Sequence, residues 1–289
     1  MNISNWRKAG EIASQALNYG KSIIKPGVSA LEVADKIEAK IRELGGEPAF
    51  PVNLSYNEFA SHWIPKKKED LIFKDHVINL DVGVHVEGCI GDCACTIDLS
   101  GKYTKLVESA KEALAEVEKI LPRNPSLGEI GDVIQQTIEK YGYKPVANLS
   151  GHNLKEYEIH GGLSVPNVGT NDSSRIPPNT IVAIEPFATL GRGLIKESSN
   201  PQIYQQVKDG NVRSNIGREV LKEIAKYNRL PFAKRWLQTK GAELGIVELE
   251  RANLIKSYPP LVDVDKKIVA QHERTYFISE KGFEVLTKH

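Results

Sequence analysis

Residues 77–99 read VINLDVGVHVEGCIGDCACTIDL, and this stretch decides how the chain is expected to fold. Apolar and β-branched residues dominate it, and a Glu87-Gly88 turn lies near its centre. The pattern therefore predicts two antiparallel strands, Ile78 to Val86 and Ile90 to Leu99. Asp81 interrupts the first strand and Asp92 lies in the second. An unpaired carboxylate inside an apolar sheet costs several kcal/mol, so these acids indicate a bound cation.

The two aspartates are expected to face each other. A turn centred between residues 86 and 87 would place Asp81 directly opposite Asp92 on the neighbouring strand. Like charges in that position destabilise a strand pair, whereas two aspartates that share a divalent cation become favourable. The alternative, that both are solvated loop residues, fits poorly with the apolar run around Asp81.

Three further side chains extend this pattern along the chain. Glu185 ends the apolar run that starts at Ile181, Glu273 lies inside another apolar stretch, and His152 follows Gly151. Four carboxylates and one imidazole exceed the three protein ligands of a catalytic zinc, and they suit two divalent ions bridged by carboxylates. Two ions about 3.5 Å apart can hold and activate a water molecule. The set therefore predicts hydrolase chemistry.

A short phrase recurs in the two parts of the chain that carry these residues. PVNLS at 51–55 returns as PVANLS at 145–150. Each copy follows a predicted helix and precedes a histidine and then an acid in a strand: His62 and Asp81 in the first copy, His152 and Glu185 in the second. Chance similarity of a short phrase is the alternative. The shared order favours two duplicated half-domains whose acids meet at one seam.

The region between Glu185 and Glu273 is read as an insertion. Its pattern predicts short helices at 218–228, 233–240 and around 246–256. Between Lys196 and Lys256 there are 12 Lys and Arg residues against 7 Asp and Glu residues. A solvated helical face is the simpler explanation of this excess, and contact with ribosomal RNA or with a charged substrate is the alternative.

The bulk composition is that of a globular protein rather than of a nucleic-acid-binding or membrane protein. The chain has 289 residues, 40% of them hydrophobic and 26% charged, and its net charge is +1. No apolar run approaches the roughly 20 residues of a membrane span, and the N-terminus has no signal-peptide core. Three crowded cysteines, Cys89, Cys93 and Cys95, are read as small buried hydrophobic residues rather than as a disulfide or zinc site. We therefore expect a cytoplasmic protein.

Five segments, in this order, resemble the methionine aminopeptidases: Asn79-Leu-Asp-Val-Gly, Gly91-Asp92, Gly151-His152, Ile184-Glu-Pro-Phe187 and Gln271-His-Glu273. The resemblance covers essentially the whole chain. It implies the α/β (α+β) pita-bread fold, in which two pseudo-symmetric halves surround a central curved antiparallel sheet. Residues 1–194 and 257–289 would form the catalytic domain. Residues 195–256 would form an inserted helical subdomain, similar to that of the archaeal type 2 enzymes.

The same resemblance implies a role for each site residue. Asp81 would bind one divalent ion, Asp92 and Glu273 would bridge two ions, and His152 and Glu185 would hold the second; cobalt, manganese, iron and zinc are the candidate metals. Glu185 would also carry a proton. The substrate would contact four residues. His62 would lie near its amino end, and His160 would contact the scissile carbonyl. Phe50 and Ile159 would form walls of the pocket. Arg274 and Tyr276 are more charged or bulkier than expected beside Glu273.

The implied activity is removal of the initiator methionine from nascent polypeptides. The enzyme would be a cytoplasmic monomer without membrane contact, and its basic insertion would contact the ribosome. One alternative is a proline-specific peptidase of the same fold. Such relatives usually carry an extra N-terminal domain, and about 75 residues before the first strand leave no room for one. Another alternative is a catalytically silent relative that binds RNA or ribosomes. Such relatives lose ligands, whereas all five remain here.

Overall fold

A computed structural model describes residues 2–67 and 70–289. Its α-helices are α1 (Ser4–Ile23), α2 (Ala30–Glu43), α3 (Thr104–Ile120), α4 (Leu127–Lys140), α5 (Asn215–Ile224) and α6 (Ala242–Arg251). Its strands are β1 (Glu47–Pro48), β2 (Asn53–Tyr56), β3 (Phe59–Ser61), β4 (Val77–Val86), β5 (Cys89–Asp98), β6 (Lys144–Pro145), β7 (Ser150–Leu154), β8 (Ser164–Pro166), β9 (Thr180–Ile184), β10 (Phe187–Thr189), β11 (Ile195–Glu197), β12 (Ile203–Gln206), β13 (Phe232–Ala233), β14 (Ile255–Tyr258), β15 (Leu261–Asp263), β16 (Val269–Ser279) and β17 (Gly282–Val285). None of these helices is long and apolar enough to cross a lipid bilayer.

One antiparallel sheet runs through both halves of the molecule. Its strand order is β1-β4-β5-β16-β9-β7-β8. The long strand β16 lies in the middle, where it pairs with β5 of the first half and with β9 of the second. In the first half α1 and α2 pack over β4 and β5, and in the second half α3 and α4 pack over β9 and β16. Two hydrophobic cores therefore share one sheet, joined by β16.

The second helix of each half begins and ends in the same way. The Ser29 side chain accepts a hydrogen bond from a backbone N–H in the first turn of α2, and Ser126 does the same for α4. Serine at this position satisfies an N–H that the helix leaves free. After each helix a glycine, Gly45 or Gly142, takes a positive φ of 87° or 83°, a conformation that glycine adopts at little cost. The caps therefore determine where α2 and α4 begin and end.

The register of the β4–β5 hairpin differs from the prediction. Glu87 and Gly88 form a two-residue turn in which both residues have positive φ, as in the turns that match the twist of a hairpin. Asp81 is consequently opposite Ala94, and Asp92 is opposite Gly83. The expectation that the two aspartates lie directly opposite each other was wrong. The offset is two residues, so both side chains still lie on the same face.

The region between Glu185 and Glu273 contains strands as well as helices. Helices α5 and α6 pack together, and β13, β12 and β14 form a separate three-stranded sheet. The helix predicted at 233–240 is wrong, because Ala233 pairs with Ile203 in that sheet and only a 3-10 turn follows. The helix predicted near 246–256 begins earlier and ends at Arg251, since β14 starts at Ile255. The limits 195–256 of the insertion stay a prediction.

Candidate metal centre

Five acidic and imidazole side chains from both halves line one cavity of about 380 Å³. They come from neighbouring strands of the central sheet or from the residue that follows one: Asp81 on β4, Asp92 on β5, His152 on β7, Glu185 after β9 and Glu273 on β16. The predicted ligand set is therefore brought together in space. Its place is the seam where β16 joins the two halves.

The His152 imidazole lies close to one carboxylate from each half of the molecule. The His152 Nε2 atom is 3.9 Å from Asp92 Oδ2 and 3.8 Å from Glu185 Oε1. One donor atom each from Asp92, His152 and Glu273 lie within 4.8 Å of one another. Donors that share an ion at bond lengths of about 2.0–2.3 Å are separated by comparable distances. The three side chains could hold one divalent ion with little movement.

Unpaired oxygen atoms support this interpretation of the cavity. Asp81 Oδ1 and Asp92 Oδ1 are buried and have no hydrogen-bond partner within residues 2–67 and 70–289. Buried polar atoms without a partner are uncommon in folded proteins, and a bound ion would supply the partner that these oxygens lack. Oxygen-rich donor sets with one imidazole suit divalent transition metals. The residues therefore fit the metal that the sequence predicts.

Burial disfavours the charged forms of all five groups. Burial raises the pKa of Asp81 to about 7. Burial raises the pKa values of Asp92, Glu185 and Glu273 well above their ordinary range, and nearby carboxylates add to the effect. Burial, together with the neighbouring His160, lowers the pKa of His152 to about 3. Without a cation the acids tend to keep protons, which a bound metal would displace.

A second set of contacts holds the acids in place, and sequence reasoning missed it. Gln271 donates from Nε2 to Glu185 Oε2 at 3.2 Å and to Glu273 Oε2 at 3.3 Å. The Thr275 hydroxyl donates to the Asp92 carbonyl at 2.7 Å and accepts from the Asp92 N–H at 2.9 Å. Both residues lie two positions from Glu273 on β16, so the period of two in a strand could have identified them.

The two residues that looked out of place beside Glu273 face away from the cavity. Arg274 Nη1 donates to Glu118 Oε1 at 2.9 Å, and the Tyr276 hydroxyl donates to the same oxygen at 2.8 Å. Glu118 lies on α3, on the opposite side of β16. The charge of Arg274 and the bulk of Tyr276 therefore serve the packing of that helix against the sheet.

The predicted substrate-contacting residues line the same cavity. These are His62, His160, Phe50 and Ile159. The ring centroids of His160 and His152 are 4.6 Å apart. Sequence reasoning missed Tyr258, whose ring centroid is 5.5 Å from that of His62 and 6.5 Å from that of His160. The place of Tyr258 depends on the long-range pairing of β14 with β12, which leaves no local signal in the sequence.

Comparison with known proteins gives one family and one fold. Residues 4–229 match the profile of Metallopeptidase family M24. A methionine aminopeptidase of Methanocaldococcus jannaschii is 45% identical over 294 residues, which cover 100% of both chains. The structure of a thermophilic Arx1 superposes with a TM-score of 0.85 at 16% identity, covering 98% of this chain and 90% of that one. A methionine aminopeptidase from Thermotoga maritima gives 0.73 at 23% identity, covering 99% and 96%. The two structures share the fold of this chain, which confirms the predicted architecture.

Proposed function

The chain belongs to metallopeptidase family M24, and we propose that it is a metal-dependent aminopeptidase that removes the N-terminal methionine from newly made polypeptides. The resemblance to methionine aminopeptidases found in the sequence is confirmed by the full-length similarity to the Methanocaldococcus relative. The observation that carries the proposal is the meeting of four carboxylates and one imidazole in a cavity with apolar walls. That combination suits hydrolysis next to an unbranched apolar side chain.

The proposed ligand roles are those that the resemblance to methionine aminopeptidases implies. Asp81 would hold one divalent ion, His152 and Glu185 would hold a second, and Asp92 and Glu273 would contribute to both. When bound, such ions lower the pKa of a water molecule and polarise the scissile carbonyl. The oxygen-rich set accepts manganese, iron, cobalt or zinc. Which of these metals is used, and whether two ions bind together, is decided by titrating activity and binding against each metal.

The remaining residues bind and orient the substrate. Glu185 takes a proton from the attacking water and passes it to the leaving amine. Burial lowers the pKa of His62 to about 4, and the nearby His160 makes a smaller contribution to this shift. Burial also lowers the pKa of His160. Both rings are therefore neutral at pH 7 and can donate a hydrogen bond without adding charge. Phe50 and Ile159 supply apolar walls that suit a thioether side chain.

The proposed substrates also suggest where the enzyme works and what it contacts. Newly made chains with an N-terminal methionine are met in the cytoplasm, which we propose as its compartment. Contact of the basic region 196–256 with the ribosome, and the monomeric state, stay predictions. A proline-specific peptidase and a silent RNA-binding relative are not favoured, because the full-length relatives at 34–45% identity are named methionine aminopeptidases.

A peptide assay tests the proposal. The purified protein is incubated with Mn²⁺ or Co²⁺ and either Met-Ala-Ser or Ala-Pro-Ala, and the free amino acid released is measured. We expect methionine release, its loss on chelation, its recovery when metal is returned, and none of these with Asp81→Asn. Full activity after strict chelation, or preferred cleavage of Ala-Pro-Ala, would contradict the proposal.

A further inference from the structure

A buried carboxylate on α2 joins the first half of the sheet to the inserted region. Glu38 is only 3% exposed, and its carboxylate accepts hydrogen bonds from three residues. Its Oε1 atom accepts from the Val52 N–H at 3.3 Å and from Arg235 Nη2. Its Oε2 atom accepts from Arg235 Nη1 at 3.0 Å and from the Trp236 indole N–H at 2.8 Å. We call Glu38, Arg235, Trp236 and the Val52 N–H the Glu38 clasp.

On its first-half side, the clasp holds one wall of the substrate cavity. Val52 lies between Phe50 and Asn53, and both of these residues line the cavity. Because the Val52 N–H donates to Glu38, the path of this short segment depends on where the carboxylate is held. Movement of Glu38 would therefore move the Phe50 ring toward or away from the metal donors.

On its other side, the clasp holds the opposing wall. Arg235 and Trp236 lie in the 3-10 turn that follows β13. Ala233 of β13 pairs with Ile203, and Ile203 pairs in turn with Tyr258. Ile203 and Tyr258 both line the cavity. The Trp236 ring also packs in the small apolar cluster that includes Ile203 and Tyr258. One carboxylate therefore links two walls that are contributed by distant parts of the chain.

Attraction between the charges is a weak reason to build such a contact. The side chains of Arg235 and Glu38 are only 5% and 4% exposed, and removing two charges from water offsets much of their attraction. Apolar residues of similar size would hold the two surfaces together at least as firmly. A bidentate arginine–carboxylate pair differs from them because it fixes direction and distance. The useful property of the clasp is thus geometry.

We propose that the Glu38 clasp sets the separation of the two cavity walls and thereby the preference for an unbranched N-terminal side chain. Glu38, Arg235 and Trp236 are positioning residues, since they act through Phe50, Ile203 and Tyr258. This inference rests on the proposed function. It gives the inserted region a specific task in substrate selection.

The first test compares two Mn²⁺-loaded proteins, the wild type and Glu38→Gln. Cleavage of Met-Ala-Ser and of Leu-Ala-Ser is measured for each protein. The amide keeps the size of Glu38 but weakens its hold on Arg235. We expect KM for the methionine peptide to rise about tenfold, equivalent to roughly 1.4 kcal/mol, with kcat changed less than about twofold. The preference for methionine over leucine should fall as well, while Mn²⁺ affinity by calorimetry stays at the wild-type value. Trp236→Phe, which removes a single N–H donor, should show the same changes at smaller size.

A double variant keeps the test valid if Glu38→Gln does not fold. Glu38→Met combined with Arg235→Met replaces the ion pair by an apolar pair that can hold the surfaces together without directed hydrogen bonds. We expect it to melt near the wild-type temperature and to lose the preference for methionine. Wild-type KM and wild-type preference in this folded variant would overturn the proposal and leave the clasp a purely structural contact.

The matched control is another bidentate pair that joins distant parts of the chain. Arg7 donates from Nε and Nη2 to the two oxygens of Glu284, both at 2.9 Å, away from the cavity. Glu284→Gln should change neither KM nor the preference.

Calorimetric binding of free methionine and leucine to the Mn²⁺-loaded wild type and double variant measures the preference for methionine over leucine without turnover. A wild type that binds methionine but cleaves no peptide would contradict the proposed function, whereas equal preference in both proteins would contradict only the clasp.

Discussion

The two halves of the central sheet are built alike but supply different donors to the seam between them. Each has a serine-capped helix that ends at a glycine, the recurring phrase at 51–55 or 145–150, and a strand next to β16. The first half contributes two carboxylates, Asp81 and Asp92. The second contributes the imidazole of His152 and one carboxylate, Glu185. The repeated fold therefore fixes where donors lie, while their chemical type differs between the halves.

The difference between the donors shows that burial penalises charge of either sign. Burial is the main cause of the rise in the pKa of Asp81 to about 7 and of the fall in the pKa of His152 to about 3. In both residues the neutral form is favoured in the folded protein. A divalent cation at the seam would relieve both penalties, because it pairs with carboxylates and binds neutral imidazole.

The largest effect is expected from Asp92→Asn, which removes a first-half carboxylate that lies 3.9 Å from His152 Nε2 of the second half. Activity with Mn²⁺ should fall more than about a hundredfold. Mutation of a residue that only hydrogen-bonds to a metal ligand already lowers metal affinity or activity by roughly 10–100-fold. In chelator the variant should melt at a higher temperature than the wild type, because one of four mutually repelling carboxylates is gone. Peptide cleavage, calorimetric Mn²⁺ binding and thermal melting measure the three quantities. The exposed Asp75→Asn is the control, and a destabilised metal-free Asp92→Asn would argue against repulsion in the seam.

The pH dependence of stability should have opposite signs in the two halves. In chelator, the pKa of Asp81 is about 7 when folded and near its ordinary 3.8 when unfolded. The wild type should therefore lose stability relative to Asp81→Asn as pH rises from about 4 through about 7. The pKa of His152 is about 3 when folded against 6.5 ordinarily. The wild type should lose stability relative to His152→Asn as pH falls from about 6.5 toward about 3.

Denaturant unfolding of the three proteins across this pH range measures both differences. Each should reach on the order of a few kcal/mol, since one pKa unit corresponds to about 1.4 kcal/mol. If the stability differences for Asp81 and His152 changed with pH in the same direction, burial would not be the shared cause of the two pKa shifts. With saturating Mn²⁺ the dependence of stability on pH that Asp81 causes should become smaller, because the metal takes the place of the proton on its carboxylate.

The sequence predicted those features that depend on neighbouring residues. Acids in apolar strands marked the donors. The register of Asp81 and Asp92 was missed because the choice of turn at Glu87-Gly88 follows the twist of the hairpin. Long-range contacts carry no local signal. The strand at Ala233, the place of Tyr258 and the pairing of Glu38 with Arg235, 197 residues away in the chain, could be found only from the structure.

A smaller effect is expected from Gln271, which links the halves by hydrogen bonds and is not itself a predicted metal ligand. Gln271 bridges Glu185 of the second half and Glu273 on β16. Gln271→Leu keeps the volume but removes both hydrogen bonds, so Mn²⁺ affinity should fall about tenfold, as for other partners of metal ligands. Calorimetry and peptide cleavage measure the change. Gln238→Leu on the exposed surface is the control, and unchanged affinity in Gln271→Leu would show that the two acids hold their positions without it.

The smallest effect is expected from Arg274→Lys, next to Glu273 but on the other face of β16. Arg274 Nη1 donates to Glu118 Oε1 at 2.9 Å, and its side chain is 22% exposed. Lysine keeps the charge but loses the planar geometry, so the free energy of unfolding should drop by about 1 kcal/mol. Mn²⁺ affinity and KM should stay within about twofold of the wild type, because alternate residues of a strand face opposite sides of the sheet. A large fall in metal affinity would mean that the two faces of β16 are coupled, and that the seam between the halves extends through the sheet to α3.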